Sequence, residues 1–400
     1  MARPASLRSA FVAVLALACR HVEPIRDPGF TPQDDEATLW AEAAQIDAKL
    51  EERGHVLRDA DVESYLDAVA SRLLATSGTG APPVRVRVLL DPYANAFALP
   101  NGSVYLHSGL LAPMANEAQL AMVLGHELTH YTARHGLREH RAQKNLQKAR
   151  DSLAVTFALI TAAAAGDPYA AMVLSQATND LAGQVMRIQL SGYSRDLESE
   201  ADAQSLAMLR AAGYERAQAV AVFELLLADA DATERQIPYV YASHPRIQER
   251  IESLNELLED EPAAAPGALR IAEAEFQQRT ASVLLADARL ELATGARVPA
   301  ERALERYVRL RPDDAVGVRL LAETYRRAGP ERDHVARAAQ TLEQAALLQP
   351  DDAEIQRELG LLYRELDLRE HARTSLTRYL TLAPEAADRG IIERYVAELQ

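Results

Sequence analysis

The chain has a single cysteine, Cys19, among its 400 residues. That excludes an internal disulfide framework and a thiolate-built zinc site, so any metal must be held by histidine and carboxylate. Basic residues are in deficit: 43 Lys and Arg against 58 Asp and Glu leave a net charge of −15. A nucleic-acid surface needs a basic face to meet phosphate, and none is expected here. Aromatics make up only 5% of the residues while alanine is plentiful, a balance that favours helix. No apolar run reaches the roughly 20 residues that a bilayer-crossing helix needs; the stretches 10–18 and 152–165 both fall short. The rest of the composition, 48% hydrophobic and 25% charged, is that of a folding globular chain. Its length suggests two or three domains, because one core stops growing near roughly 250–300 residues.

At the N-terminus, Arg3 and Arg8 precede the apolar run and an Ala-x-Ala site, the pattern of an export signal over residues 1–19. The ending Leu17-Ala18-Cys19 is similar to that of a bacterial lipoprotein signal, in which the cysteine is acylated. Ala16 stands where such signals usually carry leucine. Acylation of Cys19, with an outer-membrane anchor, and loss of its thiol with the cleaved peptide are both open; either way the expected location is the periplasm.

Residues 20–35 read as a polar tether. Ala37–Arg53 and Ala60–Ala75 have helical periodicity, and Pro83–Leu90 alternates apolar and basic residues as a strand does. Asn95–Leu99 and Ser103–His107 read as two strands joined by a Pro100-Asn101-Gly102 turn. A helix is expected over Glu117–Gly136. The apolar stretch Ser152–Ala165 and its neighbour read as a helical hairpin buried in or covering the site. Residues 257–268 are a linker by composition. Beyond it, Arg311-Pro-Asp-Asp-Ala315 recurs as Gln349-Pro-Asp-Asp-Ala353, and prolines 312, 350 and 384 are 38 and 34 residues apart. Leu359, Gly360, Tyr363, Ala372 and Leu376 fall at tetratricopeptide positions, and residues 269–400 read as stacked helix pairs of that kind, with a generic helical bundle as the alternative. Such an array binds partners. The expected fold is α+β and mostly helical: a first domain with a small β-sheet over 36–256, then an all-α tetratricopeptide-repeat solenoid.

His126-Glu127-Leu128-Thr129-His130 decides the chemistry. Residues i and i+4 share a helix face, so two imidazoles can hold one Zn2+ per chain while Glu127 takes a proton from a water there. The flanks Val123, Leu124 and Leu128 supply an apolar face, and Gly125 lets another backbone come close. A metzincin-type third histidine is excluded, since Gly136 stands at its position; His135 is one short, and His135 and His140 read as surface or capping residues. Downstream, Ser194-Arg-Asp-Leu-Glu-Ser-Glu-Ala-Asp202 places Glu198 and Asp202 on one helix face. Glu198 is the candidate third ligand, and Asp202 the acceptor for the other ring N–H of a ligand histidine. Glu200 lies off that face and is expected in solvent or a surface pair. The alternative is a plain acidic helix start capped by Ser194.

Four segments together resemble the HtpX/Ste-type family of zinc metallopeptidases: Asn95–Tyr105, Val123–His135, Tyr193–Asp202 and Ser243-His-Pro-Arg-Ile247. The likeness covers about 36–256 and implies a zincin-like metalloprotease domain there. It is nearest to the family's periplasmic branch, which joins this domain to C-terminal tetratricopeptide repeats and acts in outer-membrane assembly. The resemblance implies His126, His130 and Glu198 as zinc ligands, Glu127 as base and Asp202 as support. It makes His244 either a fourth ligand blocking the resting site or a donor to the oxyanion; a loop histidine before proline is the plain reading. Tyr193 and Arg195 are weaker oxyanion candidates. Where the family usually has Gly-Gly, this chain has Asn101-Gly102; asparagine tolerates a left-handed φ, so the turn can survive.

The resulting expectation is hydrolysis of unfolded or misassembled proteins in the cell envelope. Asn95, Ala96, Phe97, Ala98 and Leu99 would receive the substrate as an added strand. The repeats would recruit a protein partner such as the outer-membrane assembly machinery. Two rivals remain: a chaperone or assembly adaptor whose zinc site is self-inhibited, and a hydrolase of cell-wall peptides.

Overall fold

The computed structural model describes residues 22–144, 193–233, 247–259 and 269–399. The expected signal with Cys19, the apolar stretch 152–165, the segment carrying His244 and residues 260–268 of the expected linker lie outside the described residues. No helix among the described residues is long and apolar enough to cross a membrane.

Helices α1 (Asp35–Glu52) and α2 (Ala60–Thr76) come first. The extended Asp59 starts α2 by accepting from the N–H groups of Asp61 and Val62, and Val62, Leu66, Val69 and Leu73 line its buried face. Strands β1 (Arg85–Leu89), β2 (Ala96–Ala98) and β3 (Ser103–His107) form one sheet in the order β1-β3-β2. β2 and β3 make the hairpin the turn residues imply, with Ala96, Phe97 and Ala98 opposite Leu106, Tyr105 and Val104. β1 joins the other side of β3 in parallel, so β3 is central and buried throughout while β2 is an edge.

Gly102 takes the left-handed conformation, φ 84°. Asn101 does not, contrary to expectation. It serves the turn through its side chain instead. Asp47 on α1 accepts from Asn101 Nδ2 at 2.8 Å, Ser103 Oγ at 2.8 Å and Tyr105 Oη at 2.9 Å, tying the edge hairpin to the helix.

After the short α3 (Ser108–Leu111) comes α4 (Glu117–Thr132), capped by Asn116, which accepts from Gln119 N at 3.0 Å. Every residue of α4 is buried. It ends four residues earlier than the periodicity predicts, because Arg134 has a φ of 57° and a second helical stretch, 135–144, leaves in a new direction. The Arg134 guanidinium is gripped by Glu36 at 2.8 Å through Nε, which holds the chain in this otherwise costly conformation. Helices α5 (Arg195–Ala211), α6 (Ala217–Thr233) and α7 (Ile247–Glu259) complete the core around α4. Residues 22–34, expected to be a tether, are irregular yet packed: Ile25 is buried in this core and donates its N–H to Thr132 O at 2.8 Å.

The remainder is helical: α8 (Glu273–Arg279), α9 (Ala281–Ala293), α10 (Arg297–Leu310), α11 (Ala315–Arg326), α12 (Arg332–Leu348), α13 (Ala353–Glu365), α14 (Arg369–Leu382) and α15 (Arg389–Glu398). Consecutive helices pack as pairs, α9 with α10, α11 with α12 and α13 with α14, and each pair packs on the next. Glycine makes room for large neighbours: a Cβ on Gly317 would run into the Tyr307 ring, and one on Gly360 into Leu376. The hydrogen bond from Tyr325 Oη to Glu305, 2.9 Å, recurs one unit later from Tyr363 Oη to Glu343, 2.7 Å.

This helical array is joined to the first unit without a gap. Phe276 and Val283 are buried in the first unit's core, and Arg306 donates to the carbonyls of Ala112 and Met114. The strongest link is Glu117, the first residue of α4. Its fully buried carboxylate accepts from Tyr65 Oη at 2.8 Å, Tyr214 Oη at 2.6 Å, Arg72 Nη1 at 2.6 Å and Arg270 Nε at 2.6 Å. Burial would raise its pKa, but hydrogen bonds from Arg270, Tyr214 and Tyr65 hold it at about 2, against an ordinary 4.5. A depressed carboxylate contributes stability that is complete above its unfolded pKa and is lost as the pH falls toward the folded one. Glu117→Gln is therefore expected to cost about 3 kcal/mol at neutral pH, since the buried site loses the charged acceptor shared by the partly exposed Arg72 and Arg270 and by Tyr65 and Tyr214. The gap between variant and parent should close between about pH 4 and pH 2; denaturant unfolding across that range checks both the size and the direction.

Candidate metal centre

On α4, His126 and His130 lie one turn apart with ring centroids separated by 4.6 Å and their Nε2 atoms by 3.0 Å. Both are buried, as is Glu127 in the same turn. Helix α5 crosses α4 where Gly125 has no side chain; a Cβ there would stand only 3.1 Å from Ser205 Cβ. This close approach brings the first turns of α5 to the histidines. Glu198 places its carboxylate oxygens 3.4 Å from His126 Nε2 and 3.4 Å from His130 Nε2. Asp202, one turn on, accepts from His126 Nδ1 at 2.9 Å, which fixes the tautomer that presents an Nε2 lone pair to the cluster. Ser194 stands at the start of α5, but its hydroxyl makes no capping bond.

These donors fit a divalent ion. One ligand atom from each of His126, His130 and Glu198 lies within 4.8 Å of the others. The two Nε2 atoms are 3.0 Å apart, and each lies 3.4 Å from a Glu198 oxygen, His126 from Oε2 and His130 from Oε1, separations near the edge of roughly 3.3 Å that tetrahedral coordination at about 2.0–2.1 Å requires. Charge points the same way. Among the described residues, the carboxylates of Glu198 and Asp202 lie beside the two imidazoles and face the Arg250 guanidinium. Burial and Arg250 would lower the pKa of His126, but Glu198 and Asp202 draw it up to about 9, so the pocket favours a cation at that nitrogen. Burial would likewise raise Asp202, whereas Arg250 and His126 hold it at about 2.

Arg250 has no counterpart in the sequence-based site. It comes from α7, is buried, and binds Asp202 in a fork, Nε to Oδ2 at 2.9 Å and Nη2 to Oδ1 at 2.6 Å. Its Nη1 lies 3.4 Å from Glu198 and its plane lies over the Phe223 ring at 4.4 Å. A signal was available: Ile247, Ile251 and Leu254 mark the buried face of α7 and Arg250 falls on it, a position where a charge requires partners.

His135 corrects another expectation. It is not a surface residue but fully buried, with its Nδ1 2.8 Å from His130 Nδ1. A continuous helix would have pointed it away from His130; the left-handed Arg134 turns it back. Burial pushes its pKa down. Its Nε2 lies 3.5 Å from Glu200, which also pairs with Arg138 at 2.8 Å as a surface residue does. Tyr193 stacks on the His130 ring, centroids 3.9 Å apart and planes 13° off parallel. Arg195, by contrast, extends to the surface 3.8 Å from Glu249, which removes it as an oxyanion donor. His244 lies outside the described residues.

Of the expected substrate strand, Ala96–Ala98 is the edge strand β2. Asn95 and Leu99 flank it and are buried, and Phe97 stacks on Tyr105 at 5.3 Å. A pocket lined by Ala98, Leu99, His130, Tyr131 and Tyr193 connects the end of this strand to the centre.

Removing Arg250 would leave Asp202 buried with its charge poorly balanced. Arg250→Gln is expected to destabilise the protein by about 3–5 kcal/mol, well beyond an ordinary surface change, as read from denaturant unfolding of the metal-free protein.

Comparison with known proteins agrees with this geometry. The profile of peptidase family M48 matches residues 59–258. A putative beta-barrel assembly-enhancing protease of Vibrio cholerae is 32% identical over 196 residues, 49% of this chain and 39% of that protein. The mitochondrial metalloendopeptidase OMA1 of Schizosaccharomyces pombe is 30% identical over 202 residues, 48% of this chain and 52% of the relative. The metalloprotease YcaL of Escherichia coli is 33% identical over 175 residues, 44% and 62% respectively. The chain thus spans between 39% and 62% of the length of these relatives. Because the matched half encloses His126, Glu127, His130, Glu198, Asp202 and Arg250, the chain belongs to peptidase family M48.

Proposed function

We propose that the protein is a zinc-dependent endopeptidase of the cell envelope that cleaves unfolded or misassembled proteins, in the quality control of outer-membrane proteins. The observation that carries this reading is the buried triangle of His126, His130 and Glu198 with Glu127 in the same helical turn. Two imidazoles and a carboxylate suit zinc better than the all-oxygen sites of magnesium or calcium. When bound, zinc supplies Lewis acidity toward the scissile carbonyl and lowers the pKa of a water toward about 7. Glu127 takes the proton of the attacking water as the C–O bond forms, then passes it to the leaving amine as the C–N bond breaks. Asp202 and Arg250 keep His126 in the ligating tautomer. We assign His244 to the oxyanion, or to a fourth ligand position at rest, on family resemblance.

Substrate selection follows from β2. An edge strand offers its outer backbone groups to an extended peptide, and the pocket beside Ala98 and Leu99 leads from there to His130. Only a locally unfolded segment can lie along such an edge. The helix pairs α9–α14 we read as tetratricopeptide-type units, supported by the recurring Tyr–Glu bonds and the glycine seats at Gly317 and Gly360. They would recruit the target or an assembly machine. We read 36–256 as the peptidase domain, with Ile25, Phe276 and Val283 from outside those limits packed into its core, and 269–400 as the repeats. Export by residues 1–19, with Cys19 as the anchoring residue, agrees with the beta-barrel assembly named for the relatives.

The zinc-loaded protein is expected to cut reduced, unfolded casein and to leave peptidoglycan fragments intact. Glu127→Gln should keep its zinc and lose roughly 10²–10⁴ in turnover. If the variant instead restores outer-membrane assembly in cells as fully as the parent, proteolysis is not the role and an adaptor function replaces it.

A further inference from the structure

In the cluster both metal-facing imidazoles present Nε2, so what each Nδ1 meets decides whether that Nε2 carries a lone pair or a hydrogen. For His126 the acceptor is the Asp202 carboxylate; Arg250 Nη2, 3.1 Å from the same Nδ1, donates to Asp202 at the shorter distance of 2.6 Å. For His130 the partner is a third imidazole. His135 Nδ1 stands 2.8 Å from His130 Nδ1, a separation that requires one hydrogen between the two nitrogens.

Two arrangements satisfy it. With the hydrogen on His135, a neutral His130 carries its own at Nε2 and has no lone pair for a metal. The Nε2 lone pair of His135 then faces the Glu200 carboxylate at 3.5 Å, acceptor against acceptor. With the hydrogen on His130, its Nε2 lone pair points into the cluster, and His135 carries its hydrogen at Nε2, toward Glu200. Glu200 is held in turn by Arg138 Nη1 at 2.8 Å. Only the second arrangement sets a donor against an acceptor at each of these contacts and leaves His130 able to ligate.

We propose that His135 is a positioning residue of the metal centre: it accepts the Nδ1 hydrogen of His130 and so keeps the Nε2 lone pair of His130 directed at the ion. The inference rests on the assignment of His126, His130 and Glu198 as ligands. Glu200, itself paired with Arg138, lies 3.5 Å beyond His135 Nε2 without a hydrogen bond to it and favours that tautomer of His135 by its charge. Three acidic residues in the first turns of α5 thereby divide the work: Glu198 at the ion, Asp202 on His126, and Glu200 on the support of His130.

Two polar substitutions separate this from a packing role. Asparagine at 135 carries its amide oxygen near the place of Nδ1 and retains the acceptor, whereas glutamine extends past it, toward the place of Nε2. Zinc affinity is measured by competition with a chromophoric chelator, and folding of each metal-free variant by thermal unfolding. His135→Gln should bind zinc roughly 10–100-fold more weakly than the parent, and His135→Asn should stay close to it. Equal binding by the parent and both variants, or equal losses in both variants, would overturn the role of His135. A parent protein that takes up no zinc would instead overturn the ligand assignment beneath it. Should the glutamine variant fail to fold, the ¹⁵N imidazole spectrum of the zinc-loaded parent gives the answer: hydrogen at Nδ1 of His130 and at Nε2 of His135 supports the inference, and hydrogen at Nδ1 of His135 refutes it.

Discussion

The contact of α4 with α5 at Gly125 is the constraint on which the candidate centre depends. With hydrogen in place of a side chain, Gly125 lets Ser205 approach until the two backbones nearly touch. Glu198 and Asp202 lie about two turns and one turn before Ser205 on α5, and at that spacing they reach His130 and His126. A larger residue would force α5 outward and carry both carboxylates out of range together, so backbone proximity and ligand geometry are one feature. The interior transmits such a shift because it is close-packed.

Burial makes the charges of this centre strongly interacting. Water does not screen them, and each must be balanced by a neighbour. Arg250 balances Asp202 through a forked pair, and the Glu198 carboxylate lies where His126 and His130 converge. The N-terminus of α4 repeats the principle without a metal: the Glu117 carboxylate faces the positive end of the helix dipole together with Arg72 and Arg270. The helix is therefore anchored at its start by one buried carboxylate and in its middle by another.

The Glu117 anchor also joins the two parts of the chain. Arg270 precedes α8, and Phe276 and Val283 lie in the core that surrounds α4, so the stacked helix pairs continue from the hydrophobic core of the M48 unit. Arg306, farther along, reaches back to the carbonyls of Ala112 and Met114.

Local patterning by itself determined a good deal. The i, i+4 spacing of His126 and His130, the alternation around Val86 and Val88, and the turn at Gly102 each depend on neighbours within a few residues. Glu198 and Asp202 were legible because their own spacing mirrors that of the histidines. Tertiary structure decided the rest. The parallel pairing of β1 with β3, the burial of Ile25, and the arrival of Arg250 beside Asp202 depend on residues far apart in the chain, and no periodicity specifies which distant partner is met. His135 is the sharpest case: a helical wheel sends it to solvent, and one left-handed residue, Arg134, held by a glutamate nearly a hundred positions earlier, returns it to His130. A single dihedral angle, stabilised only by a long-range contact, overrode the local pattern.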